Sequence, residues 1–143
     1  GKGGRALSAT KLPELAGYFI APTLIDGCDP SDTVEEIFGP VLAIMTVGSD
    51  DEAIDLANDT VYGLQATVFC AHGKKALRAA SRIKAGTVTV NCYCEGDITT
   101  PFGGYKMSGF GGRDNGLHAF DQYTETKTIW LDLSEHEIDA RIE

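Results

Sequence analysis

The sequence predicts an α/β protein: a β-α-β-α-β unit of a mainly parallel open sheet, followed by a C-terminal extended strand suited to oligomerisation. Three observations carry that prediction. "PVLAIMTV" (residues 40–47) is a near-continuous apolar run, the mark of a strand covered on both faces. "SDDEAIDLAND" and "KKALRAASRIKAG" have helical periodicity and alternate with strand-like runs. Thr87, Val88, Thr89 and Val90 are all β-branched, which suits a pleated backbone.

The elements follow in order. "GKGGRALSA" is Gly-rich and reads as a chain entered partway along. "AGYFIAPTLI" (residues 16–25) is an extended apolar segment in which Pro22 favours an edge or a bulge. In "PSDTVEEIFGP", Thr33 and Glu36 fit the S/T-x-x-E capping box, predicting a short helical turn that ends before Gly39 and Pro40. After the strand at residues 40–47, Ser49 and Glu52 form a second capping box, with Ala53, Ile54 and Ala57 as the apolar stripe. "LQATVFCA" (residues 64–71) is the second strand. A second helix places Leu77, Ala80 and Ile83 or Lys84 on successive turns, with Gly86 as its stop. The third strand is residues 87–90. Short connections of this kind build parallel sheets with right-handed crossovers.

Ligands of open α/β sheets bind beyond the carboxyl ends of the strands. Residues 91–116, directly after the third strand, are therefore the leading site candidate. They are irregular and hold six glycines between Gly103 and Gly116. A dinucleotide fingerprint is absent, because Asp114 stands where G-x-G-x-x-G needs its third glycine after Gly109 and Gly111. No G-x-S-x-G elbow is present. Cys92 and Cys94 lie in this stretch, but neither His72 nor His118 has an evident reason to approach them as a base, so from the residues alone this is a binding loop without catalytic machinery. Beyond it, "LHAFDQY" is a short amphipathic piece. "TETKTIWLDL", from Thr124 through Leu133, sets Ile129, Leu131 and Leu133 on one face and Thr126, Thr128, Trp130 and Asp132 on the other. Such a strand pairs with its own sheet or with a neighbouring subunit. "SEHEIDARIE" is a charged tail.

The formal charge of −9, with Lys and Arg scattered and outnumbered, argues against a nucleic-acid partner, whose phosphate backbone needs a basic face. No apolar run is long enough to cross a bilayer and no secretory signal is seen, so a membrane partner is not expected and the location expected is cytoplasmic. Cys28, Cys70, Cys92 and Cys94 form no C-x-x-C pair, so reduced thiols are expected and a metal site is not.

"EEIFGPVLAI", "YGLQATVF", "AGTVTVNCY" and "PFGGYKMSGFG", in this order and at these separations, resemble the C-terminal part of the aldehyde dehydrogenase superfamily. "GYFIAPTLI" before them and "YTETKTIWLDL" after them match as well, so the resemblance spans about Gly3 to Leu133. It implies that residues 1–123 are the C-terminal part of the catalytic domain, 124–133 an oligomerisation strand and 134–143 a tail. It further implies that Glu36 hydrogen-bonds the nicotinamide-ribose hydroxyls of NAD or NADP and that Phe38 packs near that ribose and ring. Phe102 becomes a wall of the aldehyde tunnel, and Cys94, Glu95, Gly96 and Asp97 line its mouth. The family's nucleophilic cysteine, general-base glutamate, oxyanion-hole asparagine and Rossmann domain would lie upstream. The resemblance implies a homo-oligomer, dimer or tetramer, and an activity that oxidises an aldehyde to a carboxylate through a thioester on the upstream cysteine. The segment alone is then inactive. "EGDITTPFGGYK" is similar to the aminoaldehyde-oxidising branch, including γ-glutamyl-γ-aminobutyraldehyde dehydrogenases of polyamine breakdown. The competing expectation is a free-standing, non-catalytic α/β module that binds or oligomerises through residues 124–133.

Overall fold

The computed structural model describes residues 3–8, 11–12, 14, 16–93 and 96–133. Its elements are β1 (Arg5–Leu7), β2 (Thr23–Asp26), a 3-10 turn (Pro30–Thr33), β3 (Val41–Ile44), α1 (Asp50–Asn58), β4 (Gln65–Val68), α2 (Gly73–Arg82), β5 (Thr87–Val90), and two further 3-10 turns at Lys106–Ser108 and Leu117–Gln122. The β-α-β-α-β order is the predicted one.

The single open sheet is not. β1, β2 and β3 form one sheet, with β1 antiparallel and β3 parallel to β2, while β4 and β5 form a separate parallel pair. The crossover rule fixes the hand of a connection, but it leaves open whether consecutive strands are neighbours. Here β3 and β4 are not. β1 is an addition that the Gly-rich start of the chain did not announce.

Local signals succeed where the partner lies within a turn. Ser49 caps α1 by accepting from the Glu52 N–H at 3.1 Å, and Glu52 reaches back to the Gly48 N–H at 2.7 Å. The predicted box at Thr33 and Glu36 does not form. Asp29 caps that turn instead, accepting from the Ser31 N–H at 2.9 Å, and Pro30 follows it with a ring that pre-sets the helical φ. The turn consequently ends at Thr33, and Glu36 is left outside it.

α2 ends at Arg82, four residues before the expected stop at Gly86. Asn58, the last residue of α1, ends it from outside: its side chain donates to Arg82 O at 3.0 Å and accepts from Lys84 N at 2.7 Å. The inward stripe of α2 is buried Ala76 with half-buried Ala79 and Ala80, continued by half-buried Ile83 just past the helix end, whereas Leu77 faces outward at 68% exposure. On α1 only Ile54 of the predicted stripe is buried. Thr67 and Thr89 join β4 to β5 through their hydroxyls at 2.9 Å. Lys75 with Asp50, and Arg78 and Arg82 with Asp51, tie the two helices at their exposed faces, where such pairs add little.

The core is small. Among the described residues the buried apolar side chains are Ile54, Ala76 and Ala85, while Phe69, Phe110, Leu117, Trp130 and many other large ones are exposed. The chain exposes 12353 Å², against about 7,100 Å² for a compact 15.2 kDa monomer. Residues 124–133 carry no strand ladder, and Ile129, Leu131 and Leu133 are all exposed. The tail at 134–143 lies outside the described residues. No described helix is long and apolar enough to cross a membrane.

Candidate functional site

The loop after β5 begins where two parallel strands end together. Asn91 N donates to Val68 O at 2.8 Å, continuing the ladder by one step. Its side chain continues it by another: Oδ1 accepts from Cys70 N at 2.8 Å and Nδ2 donates to Cys70 O at 3.0 Å. Asn91 does this with φ at +56°, a left-handed conformation that asparagine tolerates better than most residues. The chain turns there, off the carboxyl ends of β4 and β5.

Gly96 and Asp97 come next and are exposed. Asp97 Oδ1 accepts from Thr99 N at 2.7 Å and from Thr99 Oγ1 at 2.5 Å, and Asp97 O accepts from Thr100 N at 3.0 Å. The Thr99 hydroxyl, then its N–H, hold the Asp97 carboxyl below its ordinary value, so it is anionic at neutral pH. Cys94 and Glu95 lie outside the described residues.

Phe102 is set by a two-way antiparallel pair with Asp114, each N–H donating to the other's carbonyl at 2.7 Å. Gln122 Nε2 fastens the far side of that pair through Arg113 O at 2.6 Å and Asp114 Oδ1 at 3.0 Å. Phe102 keeps 37% exposure. An open cleft of about 710 Å³ runs alongside, lined by Ile98, Thr99, Asp114, Phe120 and Tyr123 among others. Underneath, the loop lies directly on the strand layer. A Cβ on Gly86 would fall 1.6 Å from Gly103 O, so two backbones touch where no side chain fits. That contact, and not the end of α2, accounts for a glycine at position 86.

Glu36 and Phe38 belong to a different segment, between the 3-10 turn and β3. Glu36 is exposed and makes no hydrogen bond among the described residues. Phe38 is 87% exposed on a backbone with φ at +49°. A bulky aromatic seldom adopts that region, and residues that do cluster at ligand sites. No hydrogen bond among the described residues joins this segment to the loop holding Asp97 and Phe102. Gly96, Asp97 and Phe102 thus share one loop, while Glu36 and Phe38 lie on another segment that is not hydrogen-bonded to it among the described residues.

Sequence reasoning missed Asn58, Asn91 and the Asp29 cap. The last had a signal, Asp-Pro-Ser at residues 29–31. The two asparagines act across 21 to 26 residues of chain, which no local pattern records. Cys28, Cys70 and Cys92 are free thiols, and no described cluster of His, Cys, Asp or Glu has the makings of a metal site.

The aldehyde dehydrogenase family profile matches residues 2–129. The chain belongs to the aldehyde dehydrogenase family. Among relatives of this aldehyde dehydrogenase segment, the aminoacetaldehyde dehydrogenase of Pseudomonas aeruginosa is 57% identical over 121 residues, 83% of this chain and 24% of that protein. The NADP/NAD-dependent aldehyde dehydrogenase PuuC of Escherichia coli is 50% identical over 116 residues, 80% of this chain and 23% of that one. A crystal structure of an indole-3-acetaldehyde dehydrogenase in complex with NAD+ superposes with a TM-score of 0.83 at 47% identity, over 92% of this chain and 27% of its own. The chain therefore spans about a quarter of the length of these three aldehyde dehydrogenases. The fold they share with this chain is of the α/β class.

Proposed function

We propose that this chain is the C-terminal part of the catalytic domain of an NAD(P)-dependent aldehyde dehydrogenase, with residues 1–123 in that domain, 124–133 as an oligomerisation strand and 134–143 as a tail. The observation that carries this is the match of nearly the whole chain to one quarter of enzymes of this family. The sparse core and the exposed apolar side chains support it over a free-standing module, which would have buried them.

In the whole enzyme the aldehyde is oxidised to a carboxylate through a thioester on a cysteine outside this chain. NAD or NADP supplies the acceptor for the hydride. Glu36 accepts hydrogen bonds from the nicotinamide-ribose hydroxyls. Its exposed carboxylate fits a vicinal diol, and the capping role that competed for it is filled by Asp29. Phe38 offers an open ring face beside that ribose. Phe102 forms a wall of the aldehyde tunnel, and Cys94, Glu95, Gly96 and Asp97 line its mouth. The anionic Asp97 favours a substrate with a cationic tail, an aminoaldehyde of the kind met in polyamine breakdown. Residues 124–133, exposed in a single chain, pair across subunits of a cytoplasmic dimer or tetramer.

Glu36→Gln in the complete enzyme tests the central assignment. Loss of a charged acceptor for two hydroxyls is expected to slow single-turnover NADH formation, or to raise the cofactor KM, by about tenfold or more. Wild-type kinetics in that variant would remove Glu36 from the cofactor site. The isolated segment is expected to form no NADH.

A further inference from the structure

The loop holding Phe102 is fastened to the helix layer by one long side chain. α1 has no basic residue in its last turn, although a helix C-terminus gathers unpaired carbonyls and partial negative charge. The cation arrives from the loop. Lys106 Nζ donates to Asn58 O and to Thr60 O, both at 2.8 Å. Asn58 is the residue whose side chain also ends α2, so α1, α2 and the loop meet at one point.

The backbone on either side is tied to the same stretch. Tyr105 N donates to Gly63 O at 2.8 Å, Met107 N to Val61 O at 2.9 Å, and Ser108 Oγ accepts from Gly63 N at 3.1 Å. Lys106 itself sits at φ +52°, a conformation easy for glycine and strained for lysine. In a loop already rich in glycine, a lysine at a glycine-like angle contributes through its ammonium.

We propose that Lys106 is a positioning residue for the aldehyde tunnel, holding the loop that carries Phe102 against the C-terminus of α1. This rests on the reading of Phe102 as a tunnel wall. Phe102 is then fixed from two sides, by the Asp114 pair on one and by the Lys106 anchor four residues on. The anchor touches no reacting atom; it acts on the wall's position.

Three variants of the complete enzyme separate side chain from backbone: Lys106→Met, Lys106→Gly and Lys106→Arg. Glycine keeps the backbone angle and loses the ammonium. With a displaced wall, aldehyde KM is expected to rise about 10- to 100-fold in both the methionine and the glycine variants, with partial recovery in the arginine variant. The cofactor Kd should stay within about twofold of wild type in all three, since the Lys106 ammonium bonds to Asn58 O and Thr60 O and not to Glu36 or Phe38. Hydrogen exchange gives a readout that needs no activity: the amides of Tyr105 and Met107 should exchange faster in the methionine and glycine variants. Wild-type aldehyde KM in either of those variants overturns the proposal, even if exchange quickens. Parallel losses in aldehyde KM and cofactor Kd also overturn it, because they signify general loosening. A wild-type enzyme that reduces no cofactor with any aldehyde would sink the functional reading instead, and the exchange experiment would still show whether the anchor exists.

Discussion

The loop after β5 and the segment before β3 carry the two halves of the proposed site, and they are held in opposite ways. Between Asn91 and Asp114 the backbone is fixed at every few residues: by the Asn91 amide on Cys70, by the Asp97 turn, by the Phe102–Asp114 pair and by Gly86 against Gly103. Between the 3-10 turn and β3, Glu36 forms no hydrogen bond among the described residues and Phe38 projects from a strained backbone. Among the described residues, the proposed tunnel half is held in place by this chain's own backbone contacts. The proposed cofactor half, Glu36 and Phe38, is exposed and held by no such contacts among the described residues.

The largest effect that would break this contrast comes from Gly86→Ala. The added methyl meets backbone that cannot turn aside, so the complete enzyme is expected to lose about 3 kcal/mol or more of stability. Thermal denaturation checks it, and an unchanged melting temperature would mean that the loop is not seated where it stands. Phe38→Gly probes the other half. It removes a ring and relieves a positive φ, so stability should change by no more than about 1 kcal/mol, with the loss falling on cofactor KM or hydride transfer. A large fall in stability there would show Phe38 to be a packing residue and erase the contrast. The smallest effect is acid loosening of the Asp97 turn. Thr99 lowers the Asp97 carboxyl below its ordinary 3.8, so its stabilising share is complete above that value and is lost as the pH falls through the lowered one. Thr99→Val should move that loss of order, followed by NMR of the Thr99 and Thr100 amides, to higher pH.

Much of the fold was readable because its determinants are local. The β-branched run became β5, the Ser49 box became the start of α1, and the apolar run at residues 40–47 contained β3. What was not readable depends on distance along the chain. Asn58 reaches Arg82 and Lys84, Asn91 reaches Cys70, and Gly86 answers to Gly103. Strand adjacency is of the same kind, which is why β3 and β4 were expected in one sheet and occur in two. Alternation along residues 124–133 describes two faces, but a strand also needs a neighbour's ladder, and no described residue supplies one. For the site, family resemblance named the residues, and local pattern alone would have kept Glu36 as a cap. The competing cap was already written at Asp29 and Pro30.

The pairing of β4 with β5 alone has a consequence for the life of the protein in a cell. Each strand keeps one unpaired edge among the described residues, and Phe69, directly after β4, is exposed. An unpaired parallel edge with apolar neighbours is a template for aggregation and a feature that chaperones and proteases act upon. A copy of the proposed parent enzyme in which this segment failed to dock would display both at once. On that reading, the surface proposed to complete the enzyme would mark a broken copy for disposal.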